Sequence, residues 1–130
     1  MPKRPQVLLV EDNAALARTM RWAVLAKCEV TAVGSVREAE ECLGGPWDAF
    51  IFDISLPDGS GLALMRKARD SHPSAGALVI SGLDREGDVE ATAEMGARFL
   101  AKPFEAADIL RFLEECLPHH GGGGGATDGA

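Results

Sequence analysis

The stretch Val7-Leu8-Leu9-Val10-Glu11-Asp12-Asn13 decides the fold of this 130-residue chain. Its apolar residues do not alternate with polar ones, which is typical of a strand in a sheet covered on both faces. Two carboxylates follow directly, and Asp12 or Asn13 is in place to cap a helix. An apolar run that passes through acidic residues into a helical pattern predicts the first unit of an α/β sheet.

The same alternation of strand and helix recurs five times. Strands are expected at Gln6–Val10, Glu29–Val33, Ala49–Asp53, Ala77–Ile80 and Arg98–Ala101. Helices are expected at Ala14–Ala26, Leu62–Asp70, Asp84–Met95 and Ala106–Leu117. A further short helix is expected to open at a capping box formed by Ser35 and Glu38 and to end at about Leu43. This pattern predicts a (βα)5 doubly wound, flavodoxin-like fold with a parallel five-stranded sheet of order 2-1-3-4-5.

The connections carry recognisable turn and stop signals. Pro57-Asp58-Gly59 predicts that residues 54–61 form a loop, and Gly96 is expected to end the fourth helix. We expect one folded domain over residues 1–118. Residues 119–130 contain five consecutive glycines and are expected to form a flexible tail or linker, in which His119-His120 is too small a set for a metal site.

Composition excludes several classes of protein. The net charge of −7 disfavours direct nucleic-acid binding, because an acidic domain repels phosphate backbones. No apolar run approaches the roughly 20 residues of a membrane span, and the N-terminus is not a signal peptide. Cys28, Cys42 and Cys116 are widely spaced and are expected to be reduced thiols in a cytosolic protein.

Polar side chains stand where the predicted strands end: Glu11, Asp12, Asp53, Ser81 and Lys102. Taken singly, each has an ordinary structural explanation, such as a helix cap, an Asx turn or a surface lysine. In the predicted order the first and third strands are neighbours, so the three carboxylates should meet at one edge of the sheet. Carboxylates held this close repel one another, and their hard oxygen atoms suit Mg²⁺.

These side chains are of the types that carry out phosphoryl transfer. With a cation bound, the carboxylate of Asp53 is a candidate nucleophile towards phosphorus. Lys102 would supply positive charge to the transferred group, and Ser81 a hydrogen bond. The Lys102-Pro103 bond follows the last strand, a place where a cis peptide can occur.

The motifs together resemble the receiver domain of two-component response regulators. The resemblance covers about Gln6–Leu117, through the segments Val-Leu-Leu-Val-Glu-Asp-Asn, Phe-Asp-Ile-Ser-Leu-Pro-Asp-Gly-Ser-Gly, Val-Ile-Ser-Gly and Gly-Ala-Arg-Phe-Leu-Ala-Lys-Pro. It implies that Asp53 is the phosphoacceptor, and that Mg²⁺ is held by Glu11, Asp12, Asp53 and the backbone carbonyl of Ser55. It also implies that Ser81 senses the phosphoryl group, that Lys102 pairs with it, and that Phe99 occupies the aromatic switch position.

The function implied by the resemblance is that of a cytoplasmic signalling module, not a stand-alone enzyme. A sensor histidine kinase or phosphotransfer protein would phosphorylate Asp53. The surface of the fourth helix, fifth strand and fifth helix would then change and bind a downstream protein, an attached effector domain or a second copy of the chain. The residues name neither the kinase, nor the output, nor the phosphoryl lifetime.

Three alternative functions are open at this stage. A haloacid-dehalogenase-type phosphatase would need a second acid two residues after Asp53, where Ser55 stands. A nucleotide-binding fold would need a glycine-rich loop after the first strand, where two acids stand instead. A degenerate receiver that binds partners without phosphorylation is the third alternative, and it would not need the five site residues.

Overall fold

The computed structural model describes residues 4–24, 27–82 and 86–117. The strands are β1 (Gln6–Val10), β2 (Glu29–Val33), β3 (Ala49–Asp53), β4 (Ser55–Leu56), β5 (Gly59–Ser60), β6 (Gly76–Ser81) and β7 (Arg98–Ala101). The helices are α1 (Ala14–Val24), α2 (Val36–Cys42), α3 (Gly61–Ser71), α4 (Glu86–Glu94) and α5 (Ala106–Cys116). Residues 1–3, 25–26, 83–85 and 118–130, which include the predicted end of the first helix, the predicted start of the fourth helix and the predicted tail, lie outside the described residues.

Five strands form one parallel sheet in the order β2-β1-β3-β6-β7. Because β4 and β5 lie outside this sheet, this is the predicted order 2-1-3-4-5, and the doubly wound fold is confirmed. The register places Val10 beside Phe52, Asp53 beside Ile80 and Ser81 beside Ala101. The strands therefore end together at one edge, which is where ligands bind in open α/β sheets.

Residues 54–61 differ from the predicted loop. Ser55–Leu56 and Gly59–Ser60 pair as a small antiparallel hairpin around Pro57-Asp58, and Gly61 already begins α3. The prediction of a loop was wrong here, although the turn lies where Pro57-Asp58-Gly59 predicts it. Two-residue strands are too short to show an alternating pattern in the sequence.

Several helix ends follow the predicted signals. The hydroxyl of Ser35 accepts a hydrogen bond from the Glu38 amide at 3.2 Å and caps α2. The side chain of Asn13 accepts from the Leu16 amide at 3.0 Å at the start of α1. Gly96 has a φ of 73°, a left-handed conformation that favours glycine and ends α4.

Two apolar clusters cover the two faces of the sheet. Val7 and Leu9 of β1 face a cluster that includes residues of α1 and α5, whereas Leu8 and Val10 face one that includes residues of α2 and α3. All three cysteines are free thiols; Cys28 is buried, and Cys42 and Cys116 are half-buried against these clusters. Residues of one strand thus serve both faces, which explains the continuous apolar run.

The edge strand β7 is less buried than its apolar sequence predicts. Its side chains are exposed or half-buried, and Phe99 is half-buried against the cluster beside α2 and α3. None of the helices in the described parts of the chain has the length and apolar character needed to cross a membrane.

Candidate functional site

The side chains predicted to form a site lie together at the carboxyl edge of the sheet. Asp53 is the last residue of β3 and Ser81 the last of β6, while Glu11 and Asp12 follow β1 directly and Lys102 follows β7 directly. The parallel alignment of the four strands brings these loops side by side.

Asp53 is at the centre of this group and is only 3% exposed. Lys102 donates a hydrogen bond from Nζ to Asp53 Oδ2 at 2.7 Å, and the backbone amide of Ser55 donates to Oδ1 at 2.9 Å. Both carboxylate oxygens are therefore oriented by donors at the end of a buried strand.

Glu11 is a buried carboxylate beside Asp53, with 2% of its surface exposed. Its Oε2 accepts a hydrogen bond from the Asn13 amide at 3.1 Å. Its Oε1 lies 3.2 Å from Lys102 Nζ as an ion pair, but accepts no hydrogen bond from the described residues. A buried oxygen without a hydrogen bond is unfavourable unless something else binds it.

The pKa of Glu11 reflects this environment. This pKa is raised from 4.5 to about 7, chiefly by burial and also by the nearby charge of Asp53. The hydrogen bond from the Asn13 amide and the charge of Lys102 oppose these effects. Near neutral pH a bound cation would stabilise the ionised form.

Three carboxylates have the arrangement of a cation site. One oxygen from each of Glu11, Asp12 and Asp53 can be chosen so that all lie within 4.8 Å of one another, and Asp12 is exposed at the mouth of the group. Hard oxygen ligands with one exposed side suit Mg²⁺, which usually keeps several waters. The Oε1 of Glu11, which is ion-paired with Lys102 but accepts no hydrogen bond from the described residues, is consistent with such an ion.

Lys102 links the acidic side chains. Burial lowers the pKa of its ammonium, but the hydrogen bond to Asp53, the charges of Asp53 and Glu11 and the contact with Glu11 outweigh it, so the pKa is raised. Its side chain is 27% exposed, and its peptide bond to Pro103 is cis. The ammonium therefore stays charged at physiological pH.

The remaining predicted residues surround this centre. Ser81 is buried at the end of β6, and its carbonyl accepts from the Lys102 amide at 2.8 Å. Ser55 is exposed and contacts Asp53 through its amide. Phe99 lies three residues before Lys102 on β7 and pairs in register with Val79, away from the carboxylates.

Two residues of this region were not predicted to contribute to the site. A Cβ on Gly61 would lie 1.8 Å from the carbonyl oxygen of Asp53, so only glycine fits there. Asp58 was interpreted as a turn residue, but its carboxylate accepts hydrogen bonds from the amides of Val36 and Arg37. Asp58 belongs to the predicted turn and Gly61 to the predicted loop over residues 54–61, but neither pattern carries a signal of these contacts.

Two openings flank the carboxylates. One cavity of about 350 Å³ lies between α1 and β2 and is bordered by Glu11, Asp12 and Arg18. The other, about 410 Å³, is lined by Leu16, Gly82, Lys102, Pro103 and Phe104. Lys102 thus also borders an opening whose lining includes none of the three carboxylates.

Comparisons with known proteins agree with this geometry. The family model of the response regulator receiver domain matches residues 7–114. The virulence transcriptional regulatory protein PhoP of Salmonella typhimurium is 31% identical over 122 residues, which cover 90% of this chain and 54% of PhoP. The chain therefore spans about half the length of this relative.

Solved structures show the same fold. A CheY-like receiver domain protein from Methanospirillum hungatei aligns with a TM-score of 0.82 and 22% identity, over 87% of this chain and 93% of that one. A Burkholderia pseudomallei response regulator with a phosphorylated aspartic acid, calcium ion and citrate has a TM-score of 0.78 and 27% identity, over 84% of this chain and 66% of that one. This chain belongs to the response regulator receiver domain family of two-component systems.

Proposed function

We propose that Asp53 accepts a phosphoryl group from a sensor histidine kinase or a phosphotransfer protein. The observation that carries this proposal is the position of Asp53, buried between the Lys102 ammonium at 2.7 Å and the acid pair Glu11 and Asp12. A carboxylate that merely stabilised the fold would not need two further acids beside it, since their repulsion destabilises the protein. The phosphorylated aspartic acid of the Burkholderia pseudomallei regulator supports the same assignment by similarity.

Mg²⁺ would be held by Glu11, Asp12, Asp53 and the carbonyl of Ser55. When bound, it would neutralise negative charge on the carboxylates and on the transferred phosphoryl oxygens. The fit rests on the three clustered carboxylates and on the Glu11 oxygen without a hydrogen bond.

The residues of the chain would position the reacting groups. An oxygen of Asp53 attacks phosphorus, the bond from phosphorus to the donor nitrogen breaks, and the donor imidazole keeps that electron pair. The Ser55 amide holds one Asp53 oxygen in orientation, while the Lys102 ammonium stabilises charge on the phosphoryl oxygens. The buried setting of Asp53 strengthens these electrostatic contacts.

The output would be a shift between two conformations. A phosphoryl group on Asp53 offers new hydrogen bonds to Ser81 and Lys102, which favour an inward position of their loops. Movement of Ser81 would leave space for Phe99 to rotate inwards and alter the surface of α4, β7 and α5. A downstream protein, an attached effector domain or a second copy of the chain would bind the altered surface.

The wider assignments follow from the family. We propose a cytoplasmic signalling module, not a stand-alone enzyme, with its receiver domain over residues 1–118 followed by a tail or linker over residues 119–130. The PhoP relative is described as a transcriptional regulator and is about twice as long as the matched region. An attached or separate output partner is therefore part of the proposal.

The proposal is tested by incubating the purified chain with Mg²⁺ and acetyl phosphate, beside Asp53→Ala, and measuring intact mass. We expect one acid- and heat-labile phosphoryl group on the parent, absent from the variant and absent without Mg²⁺. If no adduct forms and beryllofluoride does not bind either, the proposed phosphorylation is wrong and the chain is a receiver fold used only for binding.

A further inference from the structure

The carboxylate of Asp58 joins two segments that are distant in sequence. Asp58 lies in the turn between β4 and β5, five residues after the proposed phosphoacceptor. Its Oδ1 accepts from the Val36 amide at 2.8 Å and its Oδ2 from the Arg37 amide at 3.0 Å. Both bonds are charge-assisted, and they lower the pKa of Asp58.

These two bonds complete the amino-terminal end of α2. The first amides of a helix have no partner within the helix. Ser35 Oγ accepts a hydrogen bond from the amide of Glu38, and the Asp58 carboxylate accepts hydrogen bonds from the amides of Val36 and Arg37. The hairpin is also packed tightly against this end, since a Cβ on Gly59 would lie 3.2 Å from Cγ2 of Val36.

The same end of α2 also contacts the loop that carries Glu11 and Asp12. The amide of Gly34 donates to Glu38 Oε1 at 2.9 Å, which fixes the entry to the helix. The backbone just before α2 lies beside that loop, since the Glu11 amide donates to the Val33 carbonyl at 3.0 Å and a Cβ built on Gly34 would come within 3.8 Å of Asp12 Cα. The start of α2 therefore lies between the two loops that would supply the metal ligands.

We infer that Asp58 is a positioning residue for the cation site. It ties the hairpin that contains Ser55 to the start of α2, and residues 33–34, just before that helix, lie beside Glu11 and Asp12. Without these two bonds, cation binding would have to order the hairpin, and that ordering lowers the affinity. This inference rests on the proposed function, because it concerns the same Mg²⁺ site.

The test compares the Mg²⁺ affinity of the parent, Asp58→Ala, Asp58→Asn and Asp48→Ala by isothermal titration calorimetry. Asp48 is the matched control, because its exposed carboxylate accepts from the Gln6 amide at 2.8 Å at the opposite end of the sheet. A urea titration of each variant measures its stability in parallel. A residue that only stabilises the fold should change the urea midpoint alone, whereas a residue that positions the site should also change the Mg²⁺ affinity.

We expect Asp58→Ala to bind Mg²⁺ about three- to tenfold more weakly, at or below the lower end of the roughly ten- to hundredfold loss for groups that contact a metal ligand directly, because Asp58 acts through the backbone. Asp58→Asn should lie between Asp58→Ala and the parent, since it keeps one acceptor oxygen. Asp48→Ala should lose stability in urea and keep the parent's affinity. If Asp58→Ala does not fold, the parent and Asp58→Asn decide the question.

Two results would overturn the inference. The first is that the folded Asp58 variants bind Mg²⁺ as tightly as the parent does. The second is that Asp48→Ala loses as much Mg²⁺ affinity as Asp58→Ala. A parent that binds no Mg²⁺ at all would overturn the proposed function, and this inference with it. A parent that binds Mg²⁺ beside Asp58 variants of unchanged affinity would leave the proposed function standing.

Discussion

Replacement of Gly61 by alanine should destabilise the protein through the backbone of the candidate site. A Cβ at this position would lie 1.8 Å from the Asp53 carbonyl oxygen, 2.7 Å from the Asp53 carbonyl carbon and 2.9 Å from Ile54 Cα. Carbon atoms in contact prefer about 3.5–4.0 Å, so the start of α3 and the end of β3 would have to separate by more than about 1 Å. None of these atoms belongs to a flexible side chain that could rotate away.

The expected cost is at the upper end of the range for overpacked sites, about 3 kcal/mol. With a urea m-value of about 2 kcal/mol/M, this corresponds to a midpoint lower by about 1.5 M. The displacement also moves Asp53, so the Gly61→Ala protein should bind Mg²⁺ more weakly than the parent.

Gly87→Ala is the matched control for this substitution. Gly87 is exposed in the first turn of α4, and no atom of the described residues lies within 4 Å of a Cβ built there. Alanine should stabilise this helix by up to about 1 kcal/mol, because it restricts the unfolded chain and favours the helix. If Gly61→Ala unfolded at the same urea concentration as the parent, the steric reasoning would be wrong.

Four further predictions concern the site and the core. Without Mg²⁺, the contribution of Glu11 to the free energy of unfolding should be greatest below pH 4.5 and be lost as pH rises through about 7, because native Glu11 keeps a proton that the unfolded chain releases; the difference between the urea midpoints of the parent and Glu11→Gln across pH measures this, and a difference that does not change with pH would contradict it. At alkaline pH, Lys102→Ala should lower the free energy of unfolding by about a further 2 kcal/mol, since it removes the cation that offsets the buried carboxylates. Equal urea midpoints of parent and variant at alkaline pH would contradict this prediction. Burial raises the pKa of the Cys116 thiol to about 11, so alkylation at mildly alkaline pH should be slow in the folded protein and fast in urea; comparable rates would show that the thiol is accessible. Phe99→Ala should leave acetyl phosphate labelling intact and reduce the beryllofluoride-induced change in amide exchange of α4; an unchanged response would argue against the aromatic switch.

The sequence pattern was sufficient for most of the main sheet. The bounds of β1, β2, β3 and β7 agree with prediction. Continuous apolar runs mark β1 and β3, which are buried on both faces, whereas the edge strands β2 and β7 are exposed or half-buried. The shared edge of these strands then places the polar residues that follow them side by side. The grouping of Glu11, Asp12 and Asp53 was therefore predictable before any coordinates.

The parts that were not predictable depend on contacts between distant segments. The hairpin β4–β5 has strands of two residues, which leave no periodic pattern. The bonds from Asp58 to the α2 amides join residues more than twenty positions apart. The half-exposed edge strand β7 depends on where α4 and α5 pack, and its apolar composition alone suggests deeper burial.

The sequence by itself determined the alternation of elements, the identity of the polar residues at the strand ends and the family of the chain, because each depends on local pattern and on a general rule of parallel sheets. Only the tertiary structure decided that Glu11 is buried with one oxygen free of hydrogen bonds, and that Lys102 bridges it to Asp53. Only the structure assigned Gly61 and Asp58 their contacts. Burial, pKa and steric fit depend on which atoms surround a group, and those atoms come from strands and helices that the chain brings together only on folding.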